Sequence, residues 1–323
     1  MPASQYRQRR AWRVENDQLR VTVTVEGGHI AEIVHLPTGI NPLWSPHWPT
    51  IDPSTYRRET HPEYGDSVEA SLLSGIAGHN LCLDLFGPPS AEEAVAGVPT
   101  HGESSVVPYV LSDEDGGMVC RAQMPMAQLA FERHLHLDGE TIAIEETVEN
   151  LSPLDRPIAW TQHVTLGAPF LEKGKTEFDS PTIRAQTIEG AAVADPKVAL
   201  RVYPDVASHG GYTAHLMDRD RVDAYFHAYS PTHGLLFGYQ WQSADFPWLG
   251  VWDENHNRMA SPWEGKELTR GMEFGASPMP EPRRAMIDRG QLFGVPGYRW
   301  LPALSKITVR YTAFLRAASG LPA

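Results

Sequence analysis

The chain has 323 residues, with 27 basic against 40 acidic side chains and a formal charge of −13. That balance, relieved only by the short Arg7-Gln8-Arg9-Arg10 run, argues against binding nucleic acid through its phosphates, and no apolar stretch approaches the roughly 20 residues that cross a bilayer. Two cysteines, Cys82 and Cys120, are too few to staple a chain that can bury a large core unaided, so reduced thiols are expected. The opening Met1-Pro2-Ala3-Ser4-Gln5-Tyr6 lacks the apolar centre of a signal peptide, which makes the expectation cytoplasmic.

Strand signals run from end to end. Leu19 to Val25 alternates apolar and polar residues, and Gly27-Gly28 leads into a second run from His29 to His35, the pattern of a hairpin. Further β-rich stretches cover Leu129 to Leu137, Thr141 to Val148, Ile158 to Leu166, Gly234 to Gln242, Trp248 to Trp252 and Ile307 to Leu315. Helical periodicity is scarce. One short helix is predicted at Ser90 to Val95, where Ser90 can cap and Glu92-Glu93 favour the N-terminus, and another near Glu281 to Gln291. Neither fits a parallel βαβ layout. No low-complexity linker divides the chain, so residues 1–323 are read as one domain. Asn41 to Glu69, rich in Pro, Trp, His and Tyr without alternation, reads as a long ordered loop over one rim of the sheet, and Gly167 to Ala185 as a second part of that rim.

Four short segments join ionisable residues to strand signals: Gly78-His79-Asn80, Thr100-His101-Gly102-Glu103, Trp160-Thr161-Gln162-His163 and Gly271-Met272-Glu273-Phe274-Gly275. No phosphate loop, nucleophile elbow or zinc spacing accompanies them, so the chemistry they suggest is acid/base. In their order and local context these segments, with Asp245-Phe246-Pro247-Trp248-Leu249-Gly250-Val251-Trp252, resemble the aldose 1-epimerase or galactose mutarotase-like superfamily. The resemblance spans about His79 to Pro278. It implies an all-β fold, a large twisted two-layer β-sandwich with few short helices, and a small-molecule sugar as partner, with no cofactor and no metal.

By that resemblance His163 protonates the pyranose ring oxygen and Glu273 takes the proton of the anomeric hydroxyl. The ring opens, the first carbon–carbon bond rotates, and reclosure gives the other anomer. A group titrating near neutrality and a carboxylate suit such paired transfers. His101 is expected to bind the reacting end of the sugar, since a neutral imidazole both donates and accepts, and Trp252 to offer an apolar platform. Where the family carries an Arg-Asn pair this chain has His79-Asn80, which are therefore expected to grip the substrate; Asp223 stands as the counterpart of the family's sugar-binding aspartate, and Phe274 replaces a customary proline.

Two rival readings remain open. A protein of the same fold that binds sugar without turning it over is one, motivated by the departures at His79 and Phe274. The other is a cupin-like metalloenzyme, because Glu132, His134 and His136 fall on one face of a strand.

Overall fold

The computed structural model describes residues 4–114 and 116–322; Met1, Pro2 and Ala3 of the N-terminal stretch weighed above lie outside the described residues. Two large sheets face each other, with neighbouring strands antiparallel. The first has eleven strands, and its centre runs in spatial order His79–Asp84, Arg156–Gly167, Leu268–Gly275, Trp248–Asn255 and His209–Met217. The predicted hairpin, Leu19–Thr24 with Ile30–His35, lies on one flank. The second has eight, ordered Glu177–Asp179, Asp223–Ser230, Leu235–Gln242, Lys306–Ala317, Thr141–Asn150, Leu129–Asp138, Gly117–Met124 and Val110–Glu114. This is an all-β sandwich with, among the described residues, four short α-helices. Among the described residues no helix is long and apolar enough to cross a membrane.

Burial separates the two sheets. Thr141–Asn150 buries every second residue, as a strand does when one face packs on a core and the other meets water. Arg156–Gly167 is buried from Ile158 onward and His79–Asp84 along its whole length, because both faces of the first sheet are covered. One face packs against the second sheet around Trp160, Tyr239, Trp241, Phe246 and Phe274. Phe274 stacks on Trp241, with ring centroids 4.2 Å apart. The departure from proline thus serves the apolar interior.

The opposite face lies under loops. The 41–69 segment is ordered, as expected, and a cluster of Trp44, Trp48, Tyr64, Leu72, Leu73 and Trp263 gives it a core of its own. Trp44 and Trp263 stack at 5.7 Å, and Trp48 meets both edge-on. Glu267 pins the loop to the sheet, accepting hydrogen bonds from Trp44 Nε1 at 2.6 Å and from the His47 amide at 2.8 Å. Of the two expected helices, Ala91–Ala96 begins with a reciprocal cap between Ser90 and Glu93, and Arg283–Arg289 occupies the second position.

Between the sheets sits a wholly buried carboxylate. Glu146 faces Arg133 Nε at 2.7 Å and accepts hydrogen bonds from Tyr311 Oη at 2.7 Å, Gln162 Nε2 at 2.6 Å and Trp160 Nε1 at 3.2 Å. Arg133 Nη1 donates in turn to the Gly28 carbonyl. A buried pair of this kind is costly to break from one side, since the survivor keeps its charge without a partner. Glu146→Leu is therefore expected to lower unfolding free energy by about 3–5 kcal/mol. Urea denaturation checks this, and an unchanged midpoint would show that the network carries no stability.

Candidate active site

His163 and Glu273 sit opposite one another in the ladder joining Arg156–Gly167 to Leu268–Gly275. Directly opposed side chains on one face approach closely, and here His163 Nε2 lies 3.1 Å from Glu273 Oε1. The alignment is not that of a hydrogen bond, so Oε1 is buried without a partner. His163 Nδ1 is 3.1 Å from Thr165 Oγ1. Gly271 makes room for the carboxylate, since any side chain there would strike Oε1.

The pair forms the floor of a cleft of about 350 Å³ on the face of the first sheet that the loops cover, a size that takes one small molecule. His101 and Trp252 reach the same cleft, their rings centred 5.3 and 6.0 Å from that of His163. His101 is held at φ +66°, a conformation uncommon for a side-chain-bearing residue. The next residue, Gly102 at φ +79°, abuts the Leu83 carbonyl so closely that no Cβ fits. His101 Nδ1 accepts the Gly87 amide hydrogen at 3.1 Å, which makes Nε2 the protonated nitrogen of the neutral ring and hence a donor. Its neighbour Glu103 is structural: it accepts the amide hydrogens of Met126 and Ala127.

Burial governs the electrostatics. It lowers His163 from 6.5 to about 4, with the Arg258 charge acting in the same direction, and raises Glu273 from 4.5 to about 8. His101 is held well below 6.5 by burial, His163 and Arg258. Near neutral pH, Glu273 is thus a neutral carboxylic acid beside a neutral imidazole. The pair holds one exchangeable proton between two groups.

Three expected binding residues are placed elsewhere. His79 precedes by one residue the position paired with His163, so alternation turns it to the sandwich interior, where Nδ1 accepts from Tyr239 Oη and Nε2 donates to Gln162 Oε1, each at 2.9 Å. Asn80 is on the face shared with His163 but fully buried, its amide donating to Ser105 Oγ, and it does not line the cleft. Asp223 is exposed on the second sheet, in a separate open groove of about 690 Å³ on the far side of the sandwich. That groove also holds His134 and His136, and charges along it are paired, as Arg310 is with Glu145 at 2.6 Å. Glu132 is taken by Arg121 and His134, both at 2.6 Å, and among the described residues no three His, Cys, Asp or Glu side chains converge on a metal position.

Among the cleft residues that the sequence did not point to, one carries the positive charge. Arg258, in the loop after Trp248–Asn255, sets its guanidinium carbon 4.7 Å from the Trp263 ring centre and 5.4 Å from that of Trp252. A loop cation carries no periodicity; its only signal is its place between two strands that both feed the cleft.

No family model and no curated protein matches the chain by sequence. Solved structures do match. A candidate aldose 1-epimerase from Klebsiella pneumoniae superposes with a TM-score of 0.72 at 14% identity, over 96% of this chain and 80% of that one. The galactose mutarotase related enzyme from Lactobacillus acidophilus gives 0.65 at 10%, covering 96% and 98%. A galactose mutarotase-like protein from Clostridium acetobutylicum gives 0.63 at 12%, covering 98% of each chain. The chain has the galactose mutarotase-like β-sandwich fold.

The raised Glu273 pKa has a stability consequence. Between 4.5, its unfolded value, and about 8, the folded state keeps a proton that the unfolded state has lost, so stability falls as pH rises across that window. Wild type should lose more stability than Glu273→Gln between about pH 5 and about pH 9, measured as the shift in urea midpoint. Equal shifts would mean that the carboxyl ionises normally.

Proposed function

We propose that the chain is an aldose 1-epimerase-type enzyme that interconverts the α and β anomers of an aldose. The observation that carries the reading is the buried His163–Glu273 pair, 3.1 Å apart at the floor of a cleft sized for one sugar.

Opening a hemiacetal removes one proton and adds another. With a proton passed from the Glu273 carboxyl to His163 Nε2, Glu273 becomes the carboxylate that takes the anomeric hydroxyl proton, and His163 the imidazolium that protonates the ring oxygen as its bond to the first carbon breaks. The products are an open-chain aldehyde, a neutral imidazole and a protonated carboxyl, which is the charge state that burial favours. After rotation the steps run backwards on the other carbonyl face. His101, with Nε2–H fixed outward by the Gly87 contact, donates to a sugar oxygen, and Trp252 packs against a C–H face. A dry site strengthens each of these contacts.

Proton-exchange NMR of anomeric signals over a panel of aldoses tests the reaction. Glu273→Gln and His163→Ala should each slow exchange by about a hundredfold or more. No acceleration by wild type on any aldose, with sugars still bound, would leave a binding protein of the same fold. The one-proton state is lost below about 4, where His163 takes a second proton, and above about 8, where Glu273 gives up the last. Accordingly kcat/KM should follow a bell with limbs near those values, and a profile flat across neutrality into alkali would assign the base elsewhere.

A further inference from the structure

The charges around the cleft are unequal in number. Besides the His163–Glu273 pair, the carboxyl and guanidinium side chains of the residues lining it are those of Glu69, Asp253, Glu254 and Arg258. Asp253 is engaged from the far side by Arg270, in a two-pronged contact of 2.7 Å on each oxygen. Glu254 is buried and shapes the loop: Oε1 accepts the amide hydrogens of Asn257 at 2.6 Å and Arg258 at 2.9 Å, while Oε2 lies 3.7 Å from Arg258 Nε. Glu69 Oε2 meets Arg258 Nη1 at 3.2 Å. Among the described residues Arg258 is the one Lys or Arg lining the cleft; it is opposed by two carboxylates and flanked by two indole rings, its Nη2 has no partner there, and its side chain stays 38% exposed.

Such a guanidinium is fixed in orientation but already neutralised. It can donate to hydroxyl oxygens without disturbing either partner. An anion on the free Nη2 would stand close to Glu69 and Glu254, and like charges at such separations repel strongly away from bulk water. We propose that Arg258 is the specificity-determining residue of the cleft, donating to the hydroxyls of an uncharged aldopyranose, while Glu69 and Glu254 reject sugars that carry a phosphate or a carboxylate. This rests on the sugar reading above. It also assigns the grip expected of His79 to a residue from a different loop.

The test separates binding from turnover by using 1-deoxyaldopyranoses and their 6-phosphates, which lack the anomeric hydroxyl and cannot react. Calorimetric titration of wild type should detect the uncharged probe in preference to its phosphate. Arg258→Gln should weaken the uncharged probe by roughly tenfold or more, the worth of a charge-assisted hydrogen bond. With a reacting aldose the same variant should raise KM by that factor and leave kcat within about threefold. Glu69→Gln, which frees Nη1, should tighten the phosphate probe by roughly tenfold, a gain that misfolding cannot mimic. Phosphate bound as well as the uncharged probe by wild type, no change in Arg258→Gln, or no binding of any probe would each overturn the proposal. Failure of the epimerase reading shows separately, as probes that bind while no aldose exchanges faster than in buffer.

Discussion

The central ladder of the first sheet can hold only one register, and the buried Glu146 carboxylate is what holds it. Its partners Trp160 and Gln162 alternate with Thr161 and His163 along one strand. A slip of one residue would turn every side chain of that strand to the other face. Glu146 would lose the Trp160 and Gln162 hydrogen bonds while staying buried beside Arg133, and His163 would enter the apolar interior. The cost of leaving a buried carboxylate oxygen without its donors on one side of the strand thus fixes the position of the imidazole on the other. Gln162 extends the network to His79 and, through it, to Tyr239 of the second sheet, so the two sheets are keyed together directly beneath the cleft.

The cleft face answers to a different rule. Nothing in the second sheet reaches it, and the loops that cover it bring their own aromatic core. Trp263 belongs both to that core and to the wall beside Arg258, while Trp252 packs against Trp263 at 5.9 Å and against His163 on its other side. Cover and binding surface are therefore made of the same rings. A cap built this way covers the floor while leaving Glu273 Oε1 without a protein partner.

Much of the fold could be read from the chain alone, and the limits follow from burial. Leu19–Thr24, Leu129–Asp138 and Thr141–Asn150 announce themselves through alternation or β-rich composition, and the capped Ala91–Ala96 helix through Ser90 and Glu93. His79–Asp84 gives no such pattern, because a strand covered on both faces has no polar side to alternate with. His163, Glu273, His101 and Trp252 came together as their local contexts implied. His79 did not, although parity held the answer: if Asn80 pairs with His163, the residue before it faces away. Asp223 failed for another reason, since its segment has strand character but no local feature says to which sheet the strand belongs. Arg258 was illegible because its position depends on Glu254 holding two loop amides, a contact visible only in three dimensions.

The order of strands at the centre of the first sheet also bears on how the molecule comes into being. His79–Asp84, Arg156–Gly167 and Leu268–Gly275 are adjacent in space yet far apart along the chain. Hairpins such as Leu19–Thr24 with Ile30–His35, or Leu129–Asp138 with Thr141–Asn150, close short loops and can form early. The ladder that unites His163 with Glu273 closes a long one, and non-local pairings of that kind make folding slow. During synthesis the strand carrying His163 is available long before the strand carrying Glu273 has been made. Its edge must stay open for Leu268–Gly275, which joins the middle of a sheet rather than its margin. The His163–Glu273 contact is therefore among the last features to exist, and until it does the nascent protein carries an unpaired strand edge open to misassembly.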